Sequence, residues 1–363
     1  MVKLDTRFTL SKIPKTRYQG SKRRLLPWMY ERINRLEFNT ALDVFGGTGV
    51  VSYLFKILGK SVTYNDILRS NYTTGLALIE NQRNVLLEQD ILFLSTKQSG
   101  HNYPDFIEQT FPSMYYTDDE NVWIDVMIEN INLLSSKYNG KTLRYKKALA
   151  FYSLYQTCLM KRPYNLFHRN NLSMRLRDVN RSFGNYKTWS IPAPELFARQ
   201  ANKANNFVFD NGVENKAQCI DALNIESNDY DLVYLDPPYF NIKGQTNDYL
   251  KMYHFIEGMT RYEEWPSMID YNSPILSINN GYRQWGLGKD EKPIDSFKSL
   301  CQKFKNSIIV VSYKTPGSPT IDELQRVLNE CGKKVEIDSV AHSYALCKNN
   351  SVQGNREVLL IGK

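Results

Sequence analysis

An α/β fold, in which an open and mostly parallel sheet is interrupted by a long insert, is predicted by three observations. A short apolar strand, Ala41-Leu42-Asp43-Val44-Phe45, runs into glycines, followed by a helical pattern over residues 51–58 and a second strand over 61–65. Strand signals return near the other end, over residues 230–235, 307–313 and 357–362. Between them, from residue 67 to 207, the pattern changes. It is helical over 121–137 and 144–160, then polar and loop-rich over 161–189. A β-loop-α-β opening with a glycine turn is how doubly wound sheets begin. Residues 1–70 and 206–363 are expected to form one discontinuous domain, and 71–205 an insert that reads the substrate.

The chain has 363 residues, enough to bury one large core and a smaller insert. No run of about 18 apolar residues occurs, so no membrane span is expected. The first residues lack a signal-peptide stretch. The cysteines (Cys158, Cys219, Cys301, Cys331, Cys347) are scattered without a Cys-x-x-Cys pair. Neither a zinc site nor a disulfide framework follows, and reduced thiols in a cytoplasm are expected. The formal net charge of +8 points to a polyanionic partner.

Asp43-Val44-Phe45-Gly46-Gly47-Thr48-Gly49 lies between strand and helix. Glycines there let the backbone approach a ligand and take positive φ. Asp66 ends the next strand, where a carboxylate can accept ribose hydroxyls. Two nucleotide cofactors fit, NAD and S-adenosylmethionine. The spacing is not Gly-x-Gly-x-x-Gly, and the negative Asp43 suits an amino group and a sulfonium better than a pyrophosphate.

The stretch Leu232-Val233-Tyr234-Leu235-Asp236-Pro237-Pro238-Tyr239 decides the reaction. A buried strand delivers Asp-Pro-Pro-Tyr at its C-terminal end, the edge where open α/β sheets bind ligands. The two prolines make a rigid, non-helical turn. The Asp236 carboxylate and Pro237 carbonyl can then grip the two N–H groups of an exocyclic amine, a weak nucleophile whose lone pair is delocalised. They stabilise the charge that develops as it attacks a methyl group. Tyr239 offers a flat face for stacking. A base in a duplex must first be rotated out.

With these motifs the chain resembles the Dam-type, class α, adenine-N6 DNA methyltransferases, and more narrowly the modification methylases of the FokI kind. Tyr18-Gln19-Gly20-Ser21-Lys22 resembles the family's N-terminal cofactor motif. Residues 43–49 resemble its methionine-binding loop, Tyr64-Asn65-Asp66-Ile67 its ribose-binding strand end, and Asp236 to Tyr239 its catalytic motif. Cys219-Ile220-Asp221-Ala222 is a weaker match to an adenine-binding segment. The resemblance implies a Rossmann-like S-adenosylmethionine-dependent methyltransferase sheet with a helical, loop-rich target-recognition insert. It further implies that Tyr18, Lys22, Asp43, Phe45, Gly46, Gly47, Thr48, Gly49, Asp66, Ile67, Asp221 and Ala222 hold the cofactor. Asp236, Pro237, Pro238 and Tyr239 would handle the base. Site-specific methylation of double-stranded DNA, within a restriction–modification system, is the expected setting, and a cognate endonuclease is a candidate partner that the sequence itself does not reveal.

From residue 141 to 187 basic residues crowd around a single acid, Asp178, and aromatics interleave, among them Tyr164, Phe167, Phe183 and Tyr186. Such a segment suits phosphate contacts and base-edge reading. Arg162, Asn165, His168, Arg169, Asn170 and Arg175 are the candidates. After the Asp-Pro-Pro-Tyr turn, residues 241–247 are polar and suited to cover a flipped base. His254 is tempting as a base, but the chemistry above needs none, so a structural or DNA-contacting role is expected. Tyr313 is a candidate for the base pocket or for the core. Cytosine-N4 methylation of DNA or adenine methylation of RNA is a second reading, and Asp236 argues against the cytosine-N4 form. A binding module without activity is a third, against which Asp43, Asp66, Asp221 and Asp236 together argue.

Overall fold

The computed structural model describes residues 9–179, 186–227, 229–279, 285–286, 292–341 and 355–363. Seven strands, β1 (Thr40–Asp43), β2 (Ser61–Asn65), β3 (Lys216–Gln218), β4 (Leu232–Leu235), β5 (Ile308–Thr315), β6 (Val335–Ala341) and β7 (Arg356–Gly362), form one sheet in the order β3-β2-β1-β4-β5-β7-β6. The first five in chain order pair in parallel, and β7 runs antiparallel to both β5 and β6. The α/β class read from the sequence is what the fold shows.

Every residue of β4 is buried, as expected of a parallel strand covered on both faces. Alternate side chains feed two cores. Ala41, Val62, Tyr64, Leu232, Tyr234, Val310 and Ile361 face one. Leu42, Val44, Val233, Leu235, Ile309, Val311 and Leu360 face the other, covered by helices Pro293–Lys303 and Ile321–Glu330. This is the two-residue period of a pleated strand.

Residues 71–205 supply helices Asp118–Leu133 and Gly140–Lys161. Thr117 caps the first, accepting from the Glu120 N–H, while Glu120 reaches back to the Thr117 N–H. Met127, Leu149 and Tyr152 of these helices belong to the same apolar cluster as Val51 and Tyr64 beside the sheet. These helices therefore share their core with the sheet. Among the described residues no helix is long and apolar enough to cross a membrane. Arg181, Phe183 and Cys347 lie outside the described residues.

Two strands carry little sequence signal. β3 is three residues long and half-exposed, and β6 alternates with mostly polar or exposed positions on the sheet edge. β1 also ends earlier than the apolar run suggests. Past Asp43 the chain turns, with the Val44 N–H donating to the Tyr234 carbonyl at 3.1 Å and the Gly46 N–H to the Asn65 carbonyl at 2.7 Å.

Candidate active site

β1 pairs with β2 on one side and with β4 on the other, so the chain winds outward in both directions from the β1–β4 boundary. Ligands of open α/β sheets bind in the crevice above such a switch point. A cleft of about 460 Å³ opens there. It is lined by residues 18–22 of the N-terminal segment, by 43–48 after β1 and by 65–68 after β2. Residues 220–223 after β3, 236–239 after β4 and 246–250 complete most of the wall.

The glycine turn is shaped by a tyrosine. Tyr64 lies with its ring between Gly46 and Gly75, where an added Cβ would stand 2.1 Å and 2.4 Å from ring atoms. Gly47 and Gly49 have φ of +49° and +70°, conformations that favour glycine. Asn65, buried at the end of β2, ties three segments together. Its amide donates to the Val44 and Ile220 carbonyls, both at 3.0 Å, and accepts from the Ile220 N–H at 3.1 Å.

Three carboxylates of the upper cleft are distinct in their surroundings. Asp43 is 1% exposed, and one oxygen accepts from the Ser52 hydroxyl at 2.6 Å. Its other oxygen, Oδ1, is buried with no hydrogen-bond partner among the described residues. Burial pushes its carboxyl up to about 7, against the pull of Ser52. An orphaned acceptor on the wall of a cleft fits a cationic or amino-bearing ligand, since a buried unpaired acceptor is costly otherwise. Asp66 accepts from the Gly47 N–H and the Leu68 N–H, each at 2.9 Å, and from Asn71 at 3.1 Å. Burial raises it to about 6 despite those bonds. Asp221 accepts from the Leu223 N–H at 2.9 Å at the mouth of the same cleft.

At the floor, Asp236 meets Lys22. The Lys22 ammonium donates to Oδ1 at 2.8 Å and stands 2.7 Å from Oδ2, and it lies 4.8 Å from the centre of the Tyr239 ring. Burial raises the Asp236 carboxyl above its ordinary range, Lys22 opposes that rise, and Glu357 adds to it. Burial would depress Lys22, but Asp236 and Glu357 outweigh it and hold the ammonium well above its ordinary range. The Tyr18 ring stacks on Tyr253, with centroids 4.1 Å apart, and on Tyr249 at 5.8 Å.

Tyr18, Lys22, Asp43, Phe45, Gly46, Gly47, Thr48, Asp66, Ile67, Asp221, Ala222, Asp236, Pro237, Pro238 and Tyr239 thus line one cleft. Gly49 stands just behind, at the N-cap of helix Val50–Ile57. Tyr249 and Trp285, also lining the cleft, were not anticipated, nor was Glu357 behind it. Tyr313 does not line the cleft; its ring meets the Tyr239 ring edge-on, centroids 5.0 Å apart, and its hydroxyl donates to the Ser318 carbonyl. His254 is buried away from the cleft against the Tyr115 hydroxyl at 3.0 Å, and burial lowers it to about 3.

The insert candidates divide. Arg162 is fully buried. It donates to the carbonyls of Tyr115 at 3.1 Å, Leu166 at 3.1 and 3.2 Å and Arg169 at 2.8 Å. It offers no surface to a phosphate; it clamps the loop that follows. Arg175 grips Glu120 through two nitrogens, at 2.7 and 2.8 Å. Arg169 and Asn170 are exposed, and Asn165 and His168 are half-buried. Asn165 has φ of +58° and Tyr164 of +62°, so this loop tip is held in a conformation non-glycine residues rarely take.

A family model described as D12 class N6 adenine-specific DNA methyltransferase matches residues 18–263. The chain is 27% identical over 359 residues to the type II methyltransferase M2.HphI of Haemophilus parahaemolyticus, covering 96% of this chain and 98% of that one. It is 24% identical over 352 residues to the modification methylase StsI of Streptococcus sanguinis and 24% identical over 341 to the type II methyltransferase M.FokI of Planomicrobium okeanokoites. The chain spans about half the length of these last two, 50% and 47%.

Proposed function

The chain belongs to the D12 class of N6 adenine-specific DNA methyltransferases, and we propose that the cleft above β1 and β4 is where it brings adenine and S-adenosylmethionine together. DNA is its substrate and S-adenosylmethionine its cofactor, as the family implies. The observation that carries the residue assignment is the meeting of the orphaned Asp43 oxygen and the Asp-Pro-Pro-Tyr turn in one cleft.

Asp43 takes the amino group of the cofactor, Asp66 the ribose hydroxyls and Asp221 the adenine amino group. Phe45, Ala222 and Ile67 flank the ring system. The bound cofactor supplies a methyl group on a sulfonium. Asp236 and the Pro237 carbonyl accept the two N–H groups of the target amine, orient its lone pair and stabilise the positive charge that grows on its nitrogen. Tyr239 stacks on the base, worth about 1–3 kcal/mol. The Asp236 side chain is only 17% exposed, at the floor of the cleft. A stacked base could not reach it, so the target rotates out of the duplex.

Residues 1–70 and 206–363 form the catalytic part, and 71–205 the insert that reads the DNA. Arg169 and Asn170, with Asn165 and His168 beside them, face the DNA. The relatives are type II methyltransferases and a modification methylase, which supports a restriction–modification role with a partner endonuclease, in the cytoplasm. The test is Asp236→Ala. Transfer from labelled cofactor to duplex DNA should vanish while cofactor binding stays within about threefold. Collapse of cofactor binding instead would move Asp236 from the base to the cofactor.

A further inference from the structure

Glu357, at the start of β7, is a charge at the floor of the cleft for which the reading above has no use. It is 1% exposed. Its Oε1 accepts from the Tyr239 hydroxyl at 2.6 Å and from the Ser312 hydroxyl at 3.2 Å, and it stands 3.3 Å from the Lys22 ammonium. The Tyr239 hydroxyl is also 2.8 Å from Asp236 Oδ1. A phenol has one proton, so it serves one of the two carboxylates at a time, and the shorter contact is to Glu357. Lys22 likewise lies between the same two acids.

Without Glu357, the Tyr239 hydroxyl would fall to Asp236 Oδ1, and the Lys22 ammonium, already on both Asp236 oxygens, would have no second acid to share it. Each would occupy lone pairs on a carboxylate that, on the proposed reading, must also accept an N–H from the target amine. The geometry points to Glu357 as a positioning residue that takes the Tyr239 hydroxyl and shares Lys22, so that the Tyr239 ring is fixed and an acceptor site on Asp236 stays open for the amine. The inference rests on the assignment of Asp236 and Tyr239 to the base. It adds a residue from the far end of the chain that never touches the substrate.

Glu357→Gln keeps the size but removes the charge, so its neutral amide competes poorly with the Asp236 carboxylate for the Tyr239 proton and the Lys22 ammonium. The measurement is single-turnover methyl transfer to duplex DNA, with cofactor and DNA affinities on the same preparation. The rate should fall roughly 10- to 100-fold, the scale of a misplaced reacting group. Both affinities should stay within about threefold of wild type, which separates positioning from uniform binding. The pH profile should also move. Asp236 faces Lys22, Tyr239, Glu357, Asp43, Tyr234 and Tyr249. Of these, Glu357 adds to the rise of its carboxyl, so its loss should shift the acid limb of the rate to lower pH. Tyr239→Phe combined with Glu357→Gln should cost less than the product of the two single effects, because the residues act through one hydrogen bond.

A wild-type rate, or a proportional fall in rate and both affinities with the acid limb unmoved, would overturn the inference. If Glu357→Gln does not fold, Glu357→Asp stands in. It keeps the charge with a shorter reach, so a slower rate with the limb in place supports the inference, and a wild-type rate overturns it. Asp236→Ala separates the two levels. An active Asp236→Ala sinks the assignment of the base site, whereas an inert one beside an unaffected Glu357→Gln sinks only the role of Glu357.

Discussion

Lys22 and Asp236 lie 214 positions apart in sequence and form a buried ion pair at 2.7 Å, with side chains 6% and 17% exposed. Asp236 sits at the end of β4 and Lys22 in a segment ahead of β1, so folding alone brings them together. A second acid, Glu357, shares the ammonium at 3.3 Å. Removing the lysine would leave two buried carboxylates face to face.

Lys22→Met should therefore cost far more than a surface pair would. Breaking a buried ion pair by removing one partner destabilises by about 3–5 kcal/mol. Denaturant unfolding in the absence of ligand measures it. A loss below about 1 kcal/mol, the range of exposed pairs, would mean that water reaches this cluster.

Gly46→Ala should damage the glycine turn without touching any charge. The new Cβ would stand 2.1 Å from the Tyr64 ring. Overpacking of this kind costs about 1–3 kcal/mol. Thermal melting should fall, and cofactor affinity with it. Shrinking the ring by Tyr64→Leu in the same chain should restore part of the loss; no restoration would show that the glycine is needed for another reason.

The Asp43 and Asp66 carboxyls should each remove stability from the ligand-free protein as pH rises from about 4 to 7, opposing the buried neutral His254, which adds stability over part of that window. The folded carboxyls of Asp43 and Asp66 are raised from 3.8 to about 7 and about 6. Between its unfolded and folded values each carboxyl is more protonated in the native state than in the unfolded state, so its contribution to stability falls with pH across that window. Asp43→Asn should flatten the upper part of the slope. Cofactor affinity should run the opposite way, tightening as Asp43 ionises. An Asp43→Asn slope identical to that of wild type would contradict the raised Asp43 carboxyl.

Arg162→Ala and Arg169→Ala should behave as opposites. Arg162 donates to four bonds at loop carbonyls from inside the core, so its loss should lower the melting temperature and leave the salt slope of DNA binding unchanged. Arg169 is exposed, and its loss should reduce that slope by about 0.9, one phosphate contact, with little change in stability. Equal salt slopes for Arg169→Ala and wild type would remove it from the DNA interface.

These two arginines show where a sequence stops being legible. Both sit in the same basic stretch, and charge pattern alone gives them the same role; burial, which depends on how Tyr115, Leu166 and Phe167 pack around Arg162, separates them. The glycine turn and the Asp-Pro-Pro-Tyr turn were legible because apolar strands end abruptly in residues with restricted or unusual backbone preferences. β3 and β6 were not, because short or half-exposed strands lack that contrast. In the sequence Glu357 marks only the start of a strand. Its one local signal is an acid leading directly into Val358-Leu359-Leu360-Ile361, a position that ends up 1% exposed. Tyr249 and Tyr253 reach Tyr18 across most of the chain, a relation that periodicity cannot express.

The floor of the cleft also sets an order in time. Lys22 leaves the ribosome before the seven strands of the sheet, Asp236 after residues 71–205, and Glu357 only with β7. During synthesis, Lys22 therefore waits for both of its acidic partners, and Asp236 waits for the acid that takes up the Tyr239 hydroxyl. A nascent chain stalled before residue 356 could form the first five strands in chain order yet lack the residue that completes the cluster. A chain released without residues 356–363 should therefore lose the strand that joins β5 to β6 together with this acid, so its melting temperature and its methyl transfer should fall together, unlike those of Glu357→Gln.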